Sequence, residues 1–265
     1  MSDRCEELPP APAVAGRSPD TATVLQSPSL FTSGSRGSTA FELKFLLTED
    51  QAAGVADHIA THLALDPYAD PTLGNAYLTT SVYTDTPARD VLRRTGAVGG
   101  RKYRVRRYGT HGPVFVERKT KSGDEVRKRR SPAPDGDLTP LNAPYPIADW
   151  PGEWFRQQAV DRQLQPVCRI SYERVAYMGP SDGGAVRATF DRNVRGALTS
   201  GWDVAPVAAG ASLLDGRVIC EFKFRDALPA IFKAAIEELA LAPSVVSKYR
   251  LFMETVRPVA GGEGG

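Results

Sequence analysis

The sequence predicts an α+β fold: a closed antiparallel β-barrel of about eight strands, its bore charged and its outside flanked by helices. Three observations predict it. Strand-like segments recur with short polar turns between them. Helical periodicity is confined to four segments. The charged residues of six strands fall on a single parity.

Residues 1–38 hold five Pro, three Gly and seven Ser without periodicity, so they read as a disordered tail with too little apolar surface to offset ordering entropy. The pattern changes at Thr39. Phe41-Glu-Leu-Lys-Phe-Leu-Leu47 opens with the apolar–charged alternation of a strand. Thr48-Glu-Asp-Gln51 fits a capping box, which starts a helix running to about Leu65 with Ala53, Ala56, Ile59, Ala60 and Leu63 on its apolar side. Strands follow at 76–84, 102–108, 113–119 and 125–130, the last three joined by turns at Gly109–Gly112 and Lys121–Asp124. The Pro-rich stretch 132–151 is irregular. A helix at 152–163 precedes strands at 167–178, 185–191, near 202, and at 217–224. Two helices close the fold, 228–239 with Pro229 in its first turn, and 245–256; residues 257–265 read as a flexible tail.

Composition excludes several classes. The 265 residues carry 33 Lys+Arg against 31 Asp+Glu, a net charge of +2, with 42% apolar residues, all within the range of globular proteins. No apolar run approaches the roughly 18 residues that a membrane-spanning helix needs. The first residues lack the basic and apolar regions of a secretion signal. Cys5, Cys168 and Cys220 have neither disulfide-framework nor zinc spacing. The expectation is a cytoplasmic protein.

The near-neutral total conceals a basic stretch: residues 101–130 hold twelve Lys and Arg against Glu117, Asp124 and Glu125. Parity makes this informative. Glu42 and Lys44 share a strand face, as do Arg104 and Arg106, Glu117 and Lys119, Tyr172 and Arg174, Arg187 and Asp191, and Glu221 and Lys223. The opposite faces are largely apolar, among them Phe41, Leu43 and Phe45, Tyr103 and Val105, Val114 and Val116, and Cys220, Phe222 and Phe224. Solvated strand faces ordinarily mix Thr, Ser and both charge signs, whereas these are dominated by Arg and Lys. Turning the charged faces into a bore brings the cations together, where they repel strongly unless a polyanion neutralises them. Arg suits phosphate oxygens, and the few carboxylates suit a hard divalent cation.

The fragments Phe41-Glu-Leu-Lys44, Lys102-Tyr-Arg-Val-Arg-Arg-Tyr-Gly109, Val116-Glu-Arg-Lys119, Ser171-Tyr-Glu-Arg174, Val186-Arg187, Cys220-Glu-Phe-Lys223 and Ser247-Lys248-Tyr249 run in an order that resembles the VTC domain over about residues 39–256. That is the polyphosphate polymerase domain of the vacuolar transporter chaperone complex, in the triphosphate tunnel metalloenzyme (CYTH-like) superfamily. The resemblance implies phosphate ligands at Lys44, Arg104, Arg106, Lys119, Tyr172, Arg174, Arg187, Ser247 and Lys248, and a metal-binding Glu221 with Lys223 beside it. The tunnel hydrolases begin with Glu-x-Glu-x-Lys; here the first acidic position is Ala40.

The expected activity is therefore transfer of the γ-phosphoryl group of ATP to a growing polyphosphate, with Mn²⁺ or Mg²⁺ as cofactor. Arg104, Arg106, Arg174 and Arg187 are expected to clamp phosphates, while Lys44, Lys119 and Lys248 stabilise developing charge. Tyr172, Lys223 and Ser247 are expected to contact substrate. An inorganic triphosphatase or polyphosphate hydrolase, and a non-catalytic polyphosphate-binding module, are the alternatives. The expected partners are ATP and polyphosphate and not nucleic acid, for which stacking platforms are not evident. A membrane-protein partner is compatible with the reading, although the sequence shows no transmembrane segment. His58 and His62 lack a third ligand and read as an exposed helix face. Cys168 and Cys220 read as small core residues, and Trp150, Trp154 and Trp202 as packing. Glu117 reads as the ion-pair partner of a bore arginine, and Arg127-Lys-Arg-Arg130 as part of the tunnel mouth.

Overall fold

The structure, a computed structural model, describes residues 40–122 and 125–256. The expected tails, Cys5 and the tip of the turn at Gly123-Asp124 lie outside the described residues. Ten strands and five α-helices follow in chain order. They are β1 (Ala40–Leu47), α1 (Glu49–Ala60), β2 (Ala64–Leu65), β3 (Tyr77–Asp85), α2 (Asp90–Arg93), β4 (Arg101–Tyr108), β5 (Val114–Ser122), β6 (Glu125–Ala133), α3 (Glu153–Asp161), β7 (Gln165–Ser181), β8 (Gly184–Leu198), β9 (Ala211–Ser212), β10 (Val218–Arg225), α4 (Ala230–Glu238) and α5 (Lys248–Thr255). No described helix is long and apolar enough to cross a membrane.

All strands join one antiparallel sheet, in the order β1-β10-β8-β7-β3-β4-β5-β6, with β2 on β7 and β9 on β8. The path has two ends, so the expected closed barrel is not formed. Eight strands do make the main path, but β1 and β6 share no ladder. The reason is visible at both ends. On β1, the Lys44 carbonyl accepts the Ser244 amide at 2.7 Å, so an acceptor on that edge is already taken. β6 carries Pro132, which has no N–H to donate, and a run of cations that disfavours strand addition. The sheet nevertheless curls: Lys119 on β5 reaches Glu42 on β1 at 2.5 Å, although the two strands lie near opposite ends of the path. The result is a tunnel-like groove that side chains bridge and backbone does not close.

The convex face is apolar and carries helices. Thr48 and Gln51 form the expected capping box, with Oγ1 accepting the Gln51 amide and Oε1 accepting the Thr48 amide. The helix ends at Ala60, because Ala64 and Leu65 pair with β7 instead. Its buried side is Ala52, Val55 and Ile59, with Ala56 half-buried against the same core; Ala53 and Ala60 are exposed, while Ile59 and Leu63 keep their expected places. These residues meet Phe45, Phe222 and Phe224 of the sheet and Phe232 of α4, with the Phe222 and Phe232 rings stacked at 4.2 Å. Farther along, α3 sets Phe155 against Tyr103 at 6.0 Å. The strand expected near 202 is a loop: Trp202, Val204 and Val207 are buried, and the Val207 amide donates to the Ser171 hydroxyl and joins no ladder.

The last helix lies against the concave side. Tyr249 stacks on Tyr83 at 5.8 Å and donates its hydroxyl to Asp85 at 2.6 Å, while Phe252 covers Gly196. A Cβ at Gly196 would come within 2.3 Å of the Phe252 ring. Gly196→Ala should therefore push α5 off the sheet, with Ser247 and Lys248 that begin it, and lower stability by about 1–3 kcal/mol. Thermal melting checks this; an unchanged melting temperature would show that α5 is free to shift.

Candidate functional site

Period-two alternation, carried from strand to strand by the ladders, builds one continuous charged surface in the groove. Glu42 pairs with Lys223 and Lys44 with Glu221 across β1 and β10. Glu221 then faces Thr189 and Lys223 faces Arg187 across β8. Arg174 is beside Asp191 and Tyr77; Arg104 and Arg106 are beside Tyr83 and Ser81. Glu117 sits between Arg104 and Arg130, and Lys119 between Lys102 and Lys128. Lys248 joins them from the start of α5.

The surface is held by interleaved ion pairs. Glu117, 2% exposed, receives the Arg104 guanidinium at 2.6 Å and Lys128 at 2.8 Å, with Arg130 at 3.5 Å. Asp191, fully buried, accepts Arg174 through both oxygens at 2.6 and 2.7 Å and also takes Lys248. Arg187 reaches Asp66 at 2.5 Å and the Tyr77 hydroxyl at 2.8 Å. Glu221 lies 3.1 Å from Lys223 and 3.7 Å from Lys44. Arg106 donates to Ser81 at 2.9 Å. The Tyr172 ring is a shared floor, with Lys248 at 4.4 Å, Arg174 at 5.2 Å and Arg106 at 5.9 Å from its centroid.

Protonation follows from this crowding. Burial opposes the charge of Glu117, but Arg104, Lys128, Arg106 and Arg130 outweigh it and hold the carboxyl well below its ordinary range. Lys223, Lys44 and Lys119 do the same for Glu221, and Arg174 and Lys248 for Asp191, again against burial. Burial and Glu117 push the Tyr108 phenol up, yet Arg106, Lys128 and Arg130 bring it down to about 7. Glu221 raises Lys44. Lys102, an exposed side chain that donates to Ser247 at 3.0 Å, falls to about 7 through partial loss of water around its ammonium and then through the cations Lys44, Lys119 and Arg104 around it.

Every residue assigned from the sequence lies on this surface or at its rim: Lys44, Arg104, Arg106, Lys119, Tyr172, Arg174, Arg187, Glu221, Lys223, Ser247 and Lys248. Two readings change. The cations are not left to a polyanion alone, since Glu42, Asp66, Glu117, Asp191 and Glu221 already pair with them. The Arg127–Arg130 run divides: Lys128 and Arg130 face Glu117, while Arg129 lies on the convex side over Trp154. Glu42, Lys102, Tyr77, Asp66 and Asp191 were not assigned. Lys102 shares the parity of Arg104, and Asp191 that of Arg187, so that signal was present. Asp66 follows β2 in a loop, where no periodicity marks it. His58 pairs with Glu238 at 3.1 Å, and no group of three His, Cys, Asp or Glu residues able to hold a metal occurs among the described residues. Cys168 and Cys220 are fully buried, with burial pushing both thiols up.

The sequence pattern of the VTC domain matches residues 39–257. This chain belongs to the VTC domain family. No curated protein matches it. Solved structures similar to this VTC domain include a Pyrococcus horikoshii OT3 protein, with a TM-score of 0.45 and 16% identity over 82% of this chain and 99% of that one. Another, from Bacillus halodurans and named as an adenylate cyclase, has a TM-score of 0.47 and 10% identity over 80% and 95%. A third, from Hippeastrum, named as an adenylyl cyclase with a dominant triphosphatase activity, has a TM-score of 0.48 and 11% identity over 83% and 98%.

Two predictions follow from the electrostatics of this VTC domain. The unfolded chain holds a proton on Lys102 up to about pH 10 that the folded chain releases near 7, so stability rises with pH across that window. Lys102→Met should then raise the melting temperature most at about pH 6 and have little effect near pH 10; a pH-independent gain would show that the cations do not crowd this amine. Asp191→Asn leaves Arg174 and Lys248 without their counter-charge and should cost about 3–5 kcal/mol. Chemical denaturation measures it, and a loss under 1 kcal/mol, roughly that of an exposed pair, would contradict the buried triad.

Proposed function

We propose that this VTC domain is an ATP-dependent polyphosphate polymerase. The observation that carries the proposal is the convergence of Arg104, Arg106, Arg174 and Arg187 with Lys44, Lys119 and Lys248 on one groove floored by Tyr172. Membership of the VTC domain family supports it. Guanidiniums offer planar forks to phosphate oxygens, and neighbouring strands repeat them along the groove.

In the proposed step, a terminal oxygen of the polymer attacks the γ-phosphorus of ATP. The bond from that phosphorus to the β,γ-bridging oxygen breaks, ADP leaves with the electron pair, and the chain grows by one phosphate. The nucleophile is already anionic at neutral pH, so no strong base is required. The protein positions two phosphates in line and neutralises charge on the transferring group, the dominant contributions in phosphoryl transfer. Arg104 and Arg174 are aimed by Glu117 and Asp191, so their orientation precedes ligand binding.

The donor set fits a hard divalent cation. Burial and the neighbouring Glu221 oppose ionisation of Glu42, yet Lys223, Lys119 and Lys44 hold it below its ordinary range, so two ionised carboxylates lie near each other; one or two carboxylates completed by substrate phosphates is how Mg²⁺ is commonly held. Mn²⁺ or Mg²⁺ bound there would neutralise phosphate charge. The carboxylates Glu117, Asp191 and Glu221 are all held in the ionised form by cations, and none is tuned upward toward a general base for water, which favours polymer transfer over hydrolysis.

Purified protein incubated with ATP and Mn²⁺ should yield a polyphosphate ladder on a gel. Release of orthophosphate alone would establish the hydrolase, and unchanged ATP the binding module. Glu221→Gln should abolish the ladder at ordinary Mn²⁺. The fold should survive at a modest cost, since Lys44 and Lys223 lose their shared counter-charge. Full turnover by that variant would remove Glu221 from the metal site.

A further inference from the structure

The convex side of the β4–β5–β6 wing carries cations that the groove does not use. Arg118 and Arg129 are directly opposite in the β5–β6 ladder, and the next row sets Arg101, Thr120 and Arg127 side by side. Like charges opposed in this way destabilise a sheet. Among the described residues, Arg101, Arg118 and Arg129 have no carboxylate partner, whereas most groove cations do, Arg106 and Lys102 bonding to serines instead. Arg118 and Arg129 instead lie over the Trp154 indole, at 5.8 and 4.3 Å from its centroid. The indole is itself held, donating Nε1–H to Ser131 at 2.8 Å and meeting the Phe155 ring edge-on at 5.7 Å. The ring attracts both guanidiniums through its face or edge without occupying their N–H groups as a carboxylate would.

We propose that Arg118, Arg129 and Trp154 form a second phosphate-chain subsite, outside the groove, that takes the part of a long polyphosphate extending beyond it. The proposal rests on the groove binding phosphate chains. What connects the two is the open end of the sheet. β6 is the terminal strand, and along it Lys128 and Arg130 face Glu117 inside while Arg127 and Arg129 face outside. Lys119 and Lys128 are ladder partners one position from Arg118 and Arg129. A chain leaving the groove beside this terminal strand therefore meets cations on both of its faces. Charges alone would serve to block edge-to-edge pairing, a common use of lysine. Blocking does not call for guanidiniums beside an anchored indole. A membrane surface fits less well, because the indole N–H is already taken by Ser131 and two guanidiniums lie 5.8 and 4.3 Å from the ring centroid.

The test compares tripolyphosphate, short enough for the groove alone, with long-chain polyphosphate. Arg118→Ala/Arg129→Ala should keep the tripolyphosphate-induced rise in melting temperature and lose about tenfold in affinity for the long chain, the worth of one charge-assisted contact. The log–log salt dependence of long-chain binding should also become shallower. Tryptophan emission should respond to the long chain in wild type and not in Trp154→Phe, with tripolyphosphate silent in both. Arg118→Lys/Arg129→Lys, which keeps charge without the planar guanidinium, should recover only part of the affinity and guards against loss through unfolding. Unchanged long-chain affinity in the double alanine variant, or equal losses for both ligands, would overturn the proposal. So would Arg118- and Arg129-dependent sedimentation with phosphatidylserine vesicles while long-chain affinity stays intact. If wild type fails to bind tripolyphosphate but its Trp154 emission still responds to the long chain, the groove reading falls and the outer site stands.

Discussion

Confining cations to one concave surface is the constraint to which the rest of this VTC domain answers. Two unit charges about 4 Å apart repel by about 4 kcal/mol even at an effective dielectric of 20. The sheet meets this by interleaving acids on the same parity: Glu42 and Glu221 among the lysines, Glu117 beneath Arg104, and Asp191 beneath Arg174 and Lys248. Each acid lowers the repulsion and at the same time aims a donor. The guanidiniums are therefore positioned before any phosphate arrives, and the remaining excess of positive charge is what a polyanion meets.

The apolar face makes such a surface sustainable. Phe45, Phe222, Phe224 and Phe232 form a core under α1 and α4 that owes nothing to the groove, and Tyr103 and Phe155 do the same under α3. Burial of this kind offsets the strain of a charged interior without sharing residues with it, because successive side chains of a strand point to opposite faces. The helix α5 is the exception. It sets Tyr249 and Phe252 on the concave side and delivers Lys248 to Asp191, so one short helix both fills part of the groove and completes its charge pattern.

Openness of the sheet has a functional side. A closed barrel would have sealed β1 to β6 with backbone hydrogen bonds. Here a side-chain bridge from Lys119 to Glu42 spans the gap, and such a bridge can change partners without breaking a ladder. Alternation along β6, the terminal strand, also sets Lys128 and Arg130 on one face and Arg127 and Arg129 on the other.

The sequence alone determined the eight strands of the main path, though not the loop near 202, together with the parity of their charges and the residues that would share a face, because alternation in a strand is a local property of the backbone. It was enough to place Lys44, Arg104, Arg106, Arg174, Arg187 and Glu221 on one surface. Parity also included Lys102 and Asp191, whose importance was hidden because hydration and neighbours, not residue type, displace the one amine and occupy the other carboxylate. Asp66 had no periodic signal, since it reaches Arg187 from a loop distant in sequence. Closure, likewise, was beyond sequence: whether two edges pair depends on what else competes for their hydrogen bonds. Tertiary structure decided that Ser244 would take the Lys44 carbonyl, and the sheet stayed open.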